Sequence, residues 1–222
     1  LHSVFVKTII NEVKMANKVP YLDLKQEILT KIKKNGGWVN AHAHFDRAYT
    51  LTKDNFKLTN ATLQEKWELV SEGKRSSTVD QIYDRMAQAC ELMLEQDVRA
   101  VGTFIDFDDI IEDKAMKAAI KIRDTYKKDL TIKFINQVYN GVLTKEARKW
   151  FDMGAEFVDI IGALPEKDKG HEAEHIEVVL ETAKRMGKMA HVHIDQLNDP
   201  DQNGTELLAQ KTIEYGMQGK VV

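Results

Sequence analysis

The chain has 222 residues, 43% hydrophobic and 30% charged, with 32 Lys and Arg against 35 Asp and Glu for a formal net charge of −3. That is the make-up of one soluble globular core, and a charge so mild and evenly mixed excludes a nucleic-acid or membrane-surface binder. The single Cys90 excludes an intrachain disulfide and points to a reducing compartment, the cytoplasm, while no apolar run of about eighteen residues and no signal-peptide core is present.

In chain order, residues 1–35 read as an N-terminal helical extension, with Leu22–Lys34 closed by Gly36-Gly37, and residues 36–222 as one α/β domain. Strand 38–44 alternates Val39, Ala41, Ala43 and Phe45 on one face with Trp38, Asn40, His42 and His44 on the other. A loop and a helix at 62–73 follow, placed over the C-terminal strand ends where α/β folds bind ligands. Thr78 and Gln81 form a capping box that opens helix 79–95, whose stripe is Ile82, Met86, Cys90 and Met93. Cys90 on that stripe is a buried structural thiol. Strand 98–105 leads to helix 112–127, with Ala115, Ala118, Ala119 and Ile122 facing inward, and then to strand 130–137. Helix 145–153 is expected to end at Gly154 and strand 156–161 to follow it. Helix 173–186 ends at Gly187 and buries Ile176, Val179, Leu180 and Ala183; strand 188–194, helix 204–215 and a strand starting at Lys220 complete the pattern. Strands alternating with amphipathic helices predict a parallel sheet.

Four of the seven histidines lie in two HxHxD segments, His42-Ala43-His44-Phe45-Asp46 and His191-Val192-His193-Ile194-Asp195. Period-two alternation aims the two imidazoles of each segment, and then a carboxylate, in one direction. Neutral imidazole is the commonest protein metal ligand, so two such strands make a metal cradle. No P-loop, G-x-G-x-x-G, G-x-S-x-G or P-C-x-x-C motif offers a competing chemistry.

From about residue 36 to the end the chain resembles the cytosine deaminase branch of the amidohydrolase superfamily, which includes N-isopropylammelide amidohydrolase. VNAHAHFDRAYTL resembles the first-strand HxHxD motif and implies metal ligation by His42 and His44. VGTFIDFDD resembles the second-strand T-x-[VI]-D signature, with Phe104 where the family often has histidine. Ile135-Asn136-Gln137 is similar to the third strand, where a glutamine contacts substrate; Gln137 is the match. Gly154-Ala155-Glu156 through Gly162-Ala163-Leu164-Pro165 is similar to the fourth unit, and Ala190-His191-Val192-His193-Ile194-Asp195-Gln196 to the fifth-strand H-x-D-E motif, implying a third ligand at His193. The fold so implied is a (β/α)8 TIM-type barrel, of which only about the first five β/α units are here.

Two departures qualify the match. The fifth-strand glutamate that moves a proton in this branch is Gln196, and a carboxamide has no titratable proton. Asp195 is the nearest carboxylate, able either to take that role or to orient His193. The strand-six histidine and strand-eight aspartate of the family have no counterpart before Val222, so the functional unit is expected to be larger than this chain. Arg47 stands where N-isopropylammelide amidohydrolase has a lysine near its substrate; its fork suits a carbonyl-rich or anionic ring, or a surface ion pair. The resemblance therefore implies one Zn or Fe ion on His42, His44 and His193. The activity implied is removal of ammonia or an amine from a pyrimidine- or triazine-like heterocycle. Expected partners are that small molecule and either a second copy or the remaining barrel segment. The alternative is a non-catalytic half-barrel that packs on a partner chain.

Overall fold

The computed structural model describes residues 22–53, 56, 63–197 and 199–222. The predicted extension over residues 1–21, with His2, lies outside them, as does Thr62. Chain contacts divide into a unit ending at Gly37 and a unit from Trp38 to Val222.

In the first unit, helix α1 (Leu24–Lys34) opens where the Asp23 side chain accepts from the Gln26 amide and closes where the Gly37 amide, at φ +88°, donates to Ile32 O. The second unit is the partial (β/α) barrel the sequence implied. Its strands β1 (Trp38–Ala43), β2 (Val98–Asp106), β3 (Thr131–Gln137), β4 (Ile160–Ala163) and β5 (Met189–Val192) form one parallel sheet in the order β1-β2-β3-β4-β5. Lys220–Val222 then runs beside β5, with Val221 bridging Ala190 in parallel and Val192 N donating to Val222 O at 2.8 Å.

Helices α2 (Leu63–Ser76), α3 (Val79–Glu95), α4 (Lys114–Tyr126), α5 (Lys145–Phe157), α6 (Glu172–Met186) and α7 (Gly204–Glu214) connect the strands. The capping box at Thr78 and Gln81 forms with both reciprocal bonds. Ile82, Met86 and Cys90 are buried as their spacing demands, and burial pushes the Cys90 thiol up to about 12, so it is inert packing. The small alanine face of α4 and the Ile176, Val179, Leu180 and Ala183 face of α6 are likewise buried against the sheet. Gly187 closes α6 at φ +66°, in the left-handed region.

Two sequence expectations need correction. Gly154 does not end α5: the helix continues to Phe157, and the fourth strand is Ile160–Ala163 rather than 156–161. The glycine is there for proximity, since a Cβ on it would come within 2.9 Å of the Phe107 ring. The second concerns the HxHxD segments, which are not straight to their ends. Strand β1 stops at Ala43 and a 3-10 turn holds Phe45–Arg47, while β5 stops at Val192, so Asp46 and Asp195 do not line up behind the imidazoles.

The β3–β4 seam shows how little freedom the sheet has. The paired register is limited to Ile135 opposite Ile160; Asp159 N adds a backbone bond to Phe134 O at 2.9 Å, and side chains reinforce it, with the Asp159 carboxylate accepting from Phe134 N at 2.9 Å and Asn136 Oδ1 from Gly162 N at 2.7 Å. A Cβ on Gly162 would collide with the Asn136 carbonyl oxygen. Gly162→Ala should therefore lower the free energy of unfolding by about 3–5 kcal/mol, read from the urea midpoint at constant slope. A midpoint unchanged from wild type would show that the two strands can part at no cost.

Candidate metal centre

The sheet face opposite the helices carries Phe104, wholly buried, as a platform under four imidazoles. Its ring centroid lies 4.9 Å from His42, 4.9 Å from His44, 4.3 Å from His193 and 5.0 Å from His191. Above it, His193 Nε2 is 3.2 Å from His42 Nε2 and 3.2 Å from His44 Nε2. Among the described residues these three histidines are the group able to hold a cation together. Ligands about 2.0–2.1 Å from a tetrahedral zinc stand about 3.3–3.4 Å from one another, so these spacings match the edges of that polyhedron.

The rings are electronically ready. Burial first, and the Arg47 charge second, push His44 down to about 2; burial and then His42 push His193 down to about 3. Burial also lowers His42 and His191. All four are thus neutral at pH 7 and offer lone pairs rather than charge. His44 Nδ1 touches the Arg47 guanidinium, a group that only donates. That contact favours the Nε2–H form of His44 and has to open before Nε2 can ligate.

Arg47 is not a surface residue. It bonds the Tyr139 hydroxyl, stands 3.6 Å from Asp106 Oδ2 and 4.0 Å from Asp46 Oδ1, and its side chain is 17% exposed. Lys74 reaches the same cluster from α2, 3.0 Å from Asp106 Oδ2, in contact with Asp108, and 4.1 Å from the Tyr139 ring centre. Burial, then Asp106, pushes Asp46 up to about 7. A cavity of about 580 Å³ opens beside this cluster, with Asp46, Arg47, Leu51, Lys74, Arg85 and Asp106 among its walls.

Gln137 is opposite Asp106 in the β2–β3 register, 2% exposed, with Oε1 buried and lacking a partner. Its neighbour Asn136 faces α5, next to Gly154, so alternation puts Gln137 on the histidine side of the sheet. Asp195 is elsewhere engaged. At φ +54° it accepts from Gly204 N, Thr205 N and the Thr205 hydroxyl, closing the start of α7, while His193 Nδ1 has no hydrogen-bond partner among the described residues. Gln196 donates its backbone N–H to Glu166 Oε1 at 3.3 Å and leaves Nε2 buried and unpartnered. Lys74 and Tyr139 were not singled out from the sequence. Tyr139 shares strand parity with Gln137, which could have flagged it, but nothing in the helical period of α2 marks Lys74 as buried.

A parallel half-barrel with ring nitrogens gathered at the C-terminal strand ends is the fold of a partial TIM-type barrel. Among solved structures it is similar to 5-methylcytosine deaminase from Klebsiella pneumoniae, with a TM-score of 0.77 and 21% identity over 83% of this chain and 46% of that one. It is also similar to N-isopropylammelide isopropylaminohydrolase from Burkholderia multivorans, with a TM-score of 0.66 and 19% identity over 83% and 47%. The chain belongs to the family of an uncharacterized protein of Haemophilus influenzae, to which it is 51% identical over 202 residues, 89% of this chain and 73% of that protein. It is 23% identical over 194 residues to N-isopropylammelide isopropyl amidohydrolase of a Pseudomonas species, and it spans 47% of that enzyme, about half its length. No protein-family model matches the sequence.

Proposed function

We propose that the protein carrying this chain is a metal-dependent amidohydrolase that exchanges an exocyclic C–N bond of a pyrimidine- or triazine-like heterocycle for C–O. Water supplies the oxygen, and ammonia or a small amine leaves with the water's proton. The observation that carries this reading is the 3.2 Å convergence of His193 Nε2 on His42 Nε2 and His44 Nε2, which brings three neutral ring nitrogens to one point. Those three residues would hold one Zn or Fe ion, which when bound supplies Lewis acidity and a lowered pKa for water. Arg47, pinned by Tyr139 and Asp106, and Gln137, with a free carboxamide oxygen, would orient the planar ring. Gln196 binds without exchanging a proton, and Asp195 secures α7 rather than joining the chemistry.

Further barrel strands, from the same or a second chain, would cover the open edges of this sheet and complete the site. Among the described residues no helix is long and apolar enough to cross a membrane, and the single reduced Cys90 supports a cytoplasmic setting. A second reading, a half-barrel without catalysis, is favoured by Gln196 alone. Zinc content and ammonia release by the full gene product on aminopyrimidines and aminotriazines separate the two. Bound metal with turnover is the expected result; stoichiometric metal without turnover on any member of the panel supports the second reading.

A further inference from the structure

The fourth imidazole, His191, is left over by the site just described. It is half-buried on β5, opposite Gly162 of β4, and edge-on to Phe104 at 5.0 Å. It does not join the three-histidine group. Its Nε2 lies 3.1 Å from Nδ1 of His42, the ring nitrogen that does not face His193.

We infer that His191 is a positioning residue for the cation centre, accepting the Nδ1–H of His42 so that His42 Nε2 is held as a lone pair. The inference rests on the metal reading above. A neutral imidazole has one N–H and one lone pair. If His42 offers Nε2 to a cation, its proton has to sit on Nδ1, and that N–H then needs an acceptor. His191 Nε2 is at hydrogen-bond distance, and His191 keeps its own proton on Nδ1. The other two rings have no such support: His44 Nδ1 meets a donor-only guanidinium, and His193 Nδ1 has no partner among the described residues. His42 is also the most exposed of the three, on an edge strand, and so has the greatest freedom to turn its ring. Metal-bound histidines commonly lean on a carboxylate or a carbonyl for this purpose; here a neutral ring does it without adding charge to the site.

The test is zinc affinity of the full gene product, measured by competition with a chromophoric chelator at fixed pH. The comparison set is wild type, H42A, H191F, H191A and H191Q, with X-ray absorption used to count bound imidazoles. H191F should weaken zinc about 10–100-fold with three imidazoles still bound, while H191Q, whose amide oxygen can accept the same N–H, should stay within about threefold of wild type. H191A removes the acceptor without adding bulk and repeats the test if H191F does not fold. Zinc binding by H191F or H191A within about threefold of wild type, alongside loss in H42A, overturns the inference and leaves the metal reading standing. A fourth imidazole in wild type that disappears in H191F overturns it too, by making His191 a direct ligand. A wild-type protein that binds zinc no better than H42A removes the metal reading and this inference together.

Discussion

Replacing His193 by alanine should abolish the stabilisation that zinc gives the full gene product. A ligand that binds only the folded state adds RT ln(1 + [L]/Kd), so zinc at 100 times the wild-type Kd contributes about 2.7 kcal/mol. If losing one of three ligands weakens the site about 100-fold, the same zinc concentration gives the variant about 0.4 kcal/mol, a difference of several degrees in Tm. His193 is the informative choice because its Nε2 is the atom common to both close contacts. Its Nδ1 makes no bond that the substitution would also break. His171→Ala is the control, an exposed ring just before α6 whose contact is with Glu174 in the first turn of that helix, and it should leave the zinc effect unchanged. A His193→Ala protein that still gains the wild-type increment would move the cation away from the strand ends.

The second large effect belongs to Lys74. Lys74→Met should cost about 3–5 kcal/mol, because it leaves buried Asp108 without a cation and buried Asp106 with Arg47 alone, 3.6 Å away. The ammonium is 3.0 Å from Asp106 and also touches Asp108, and both carboxylates are 1% exposed. Asp108 keeps the amides of Ile110 and Ile111, and Asp106 keeps Arg47, so each carboxylate loses only part of its support. Adding Asp106→Asn to Lys74→Met should recover part of the deficit. Burial pulls the Lys74 pKa down, but Asp106 and then Asp108 outweigh it and the net shift is upward. A base whose folded pKa exceeds its unfolded one contributes stability that is complete below about pH 10 and lost as pH rises through the folded value. Wild type should therefore weaken on that alkaline limb and Lys74→Met should not. Urea unfolding at pH 7 and across the alkaline range measures both, and a variant within about 0.5 kcal/mol of wild type at pH 7 would mean the three charges are solvated in practice.

What could be read from the sequence was what depends on near neighbours in the chain. Alternation in Trp38–His44 and Met189–His193 fixes which way the imidazoles face. The Thr78–Gln81 box and the alanine face of α4 are set within one or two helical turns. What escaped depends on distant parts of the chain. Gly154 looks like a helix stop until Phe107, from another β/α unit, is found against it. Asp195 looks like a partner for His193 until the chain doubles back and brings Gly204 and Thr205 to its oxygens. Lys74 carries the charge of a solvated helix end and is buried only because α2 folds over Asp106 and Asp108. His191 was visible as one of four strand histidines and was already left out of the ligand set by the H-x-D-E resemblance, but its contact with His42 shows only in the side-chain distances.

Strand order in this sheet follows chain order, with consequences for assembly during synthesis. Each new strand docks on the one made just before it, so a growing chain can add β/α units one at a time and close only modest loops. The histidine meeting is the exception, joining positions 149 and 151 residues apart. It is the step with the longest wait, complete only once β5 has seated. Under the proposed metal reading, cation capture would report that the preceding units are already in place, and a chain stalled with β5 undocked would offer an ion no more than the two rings of its first strand.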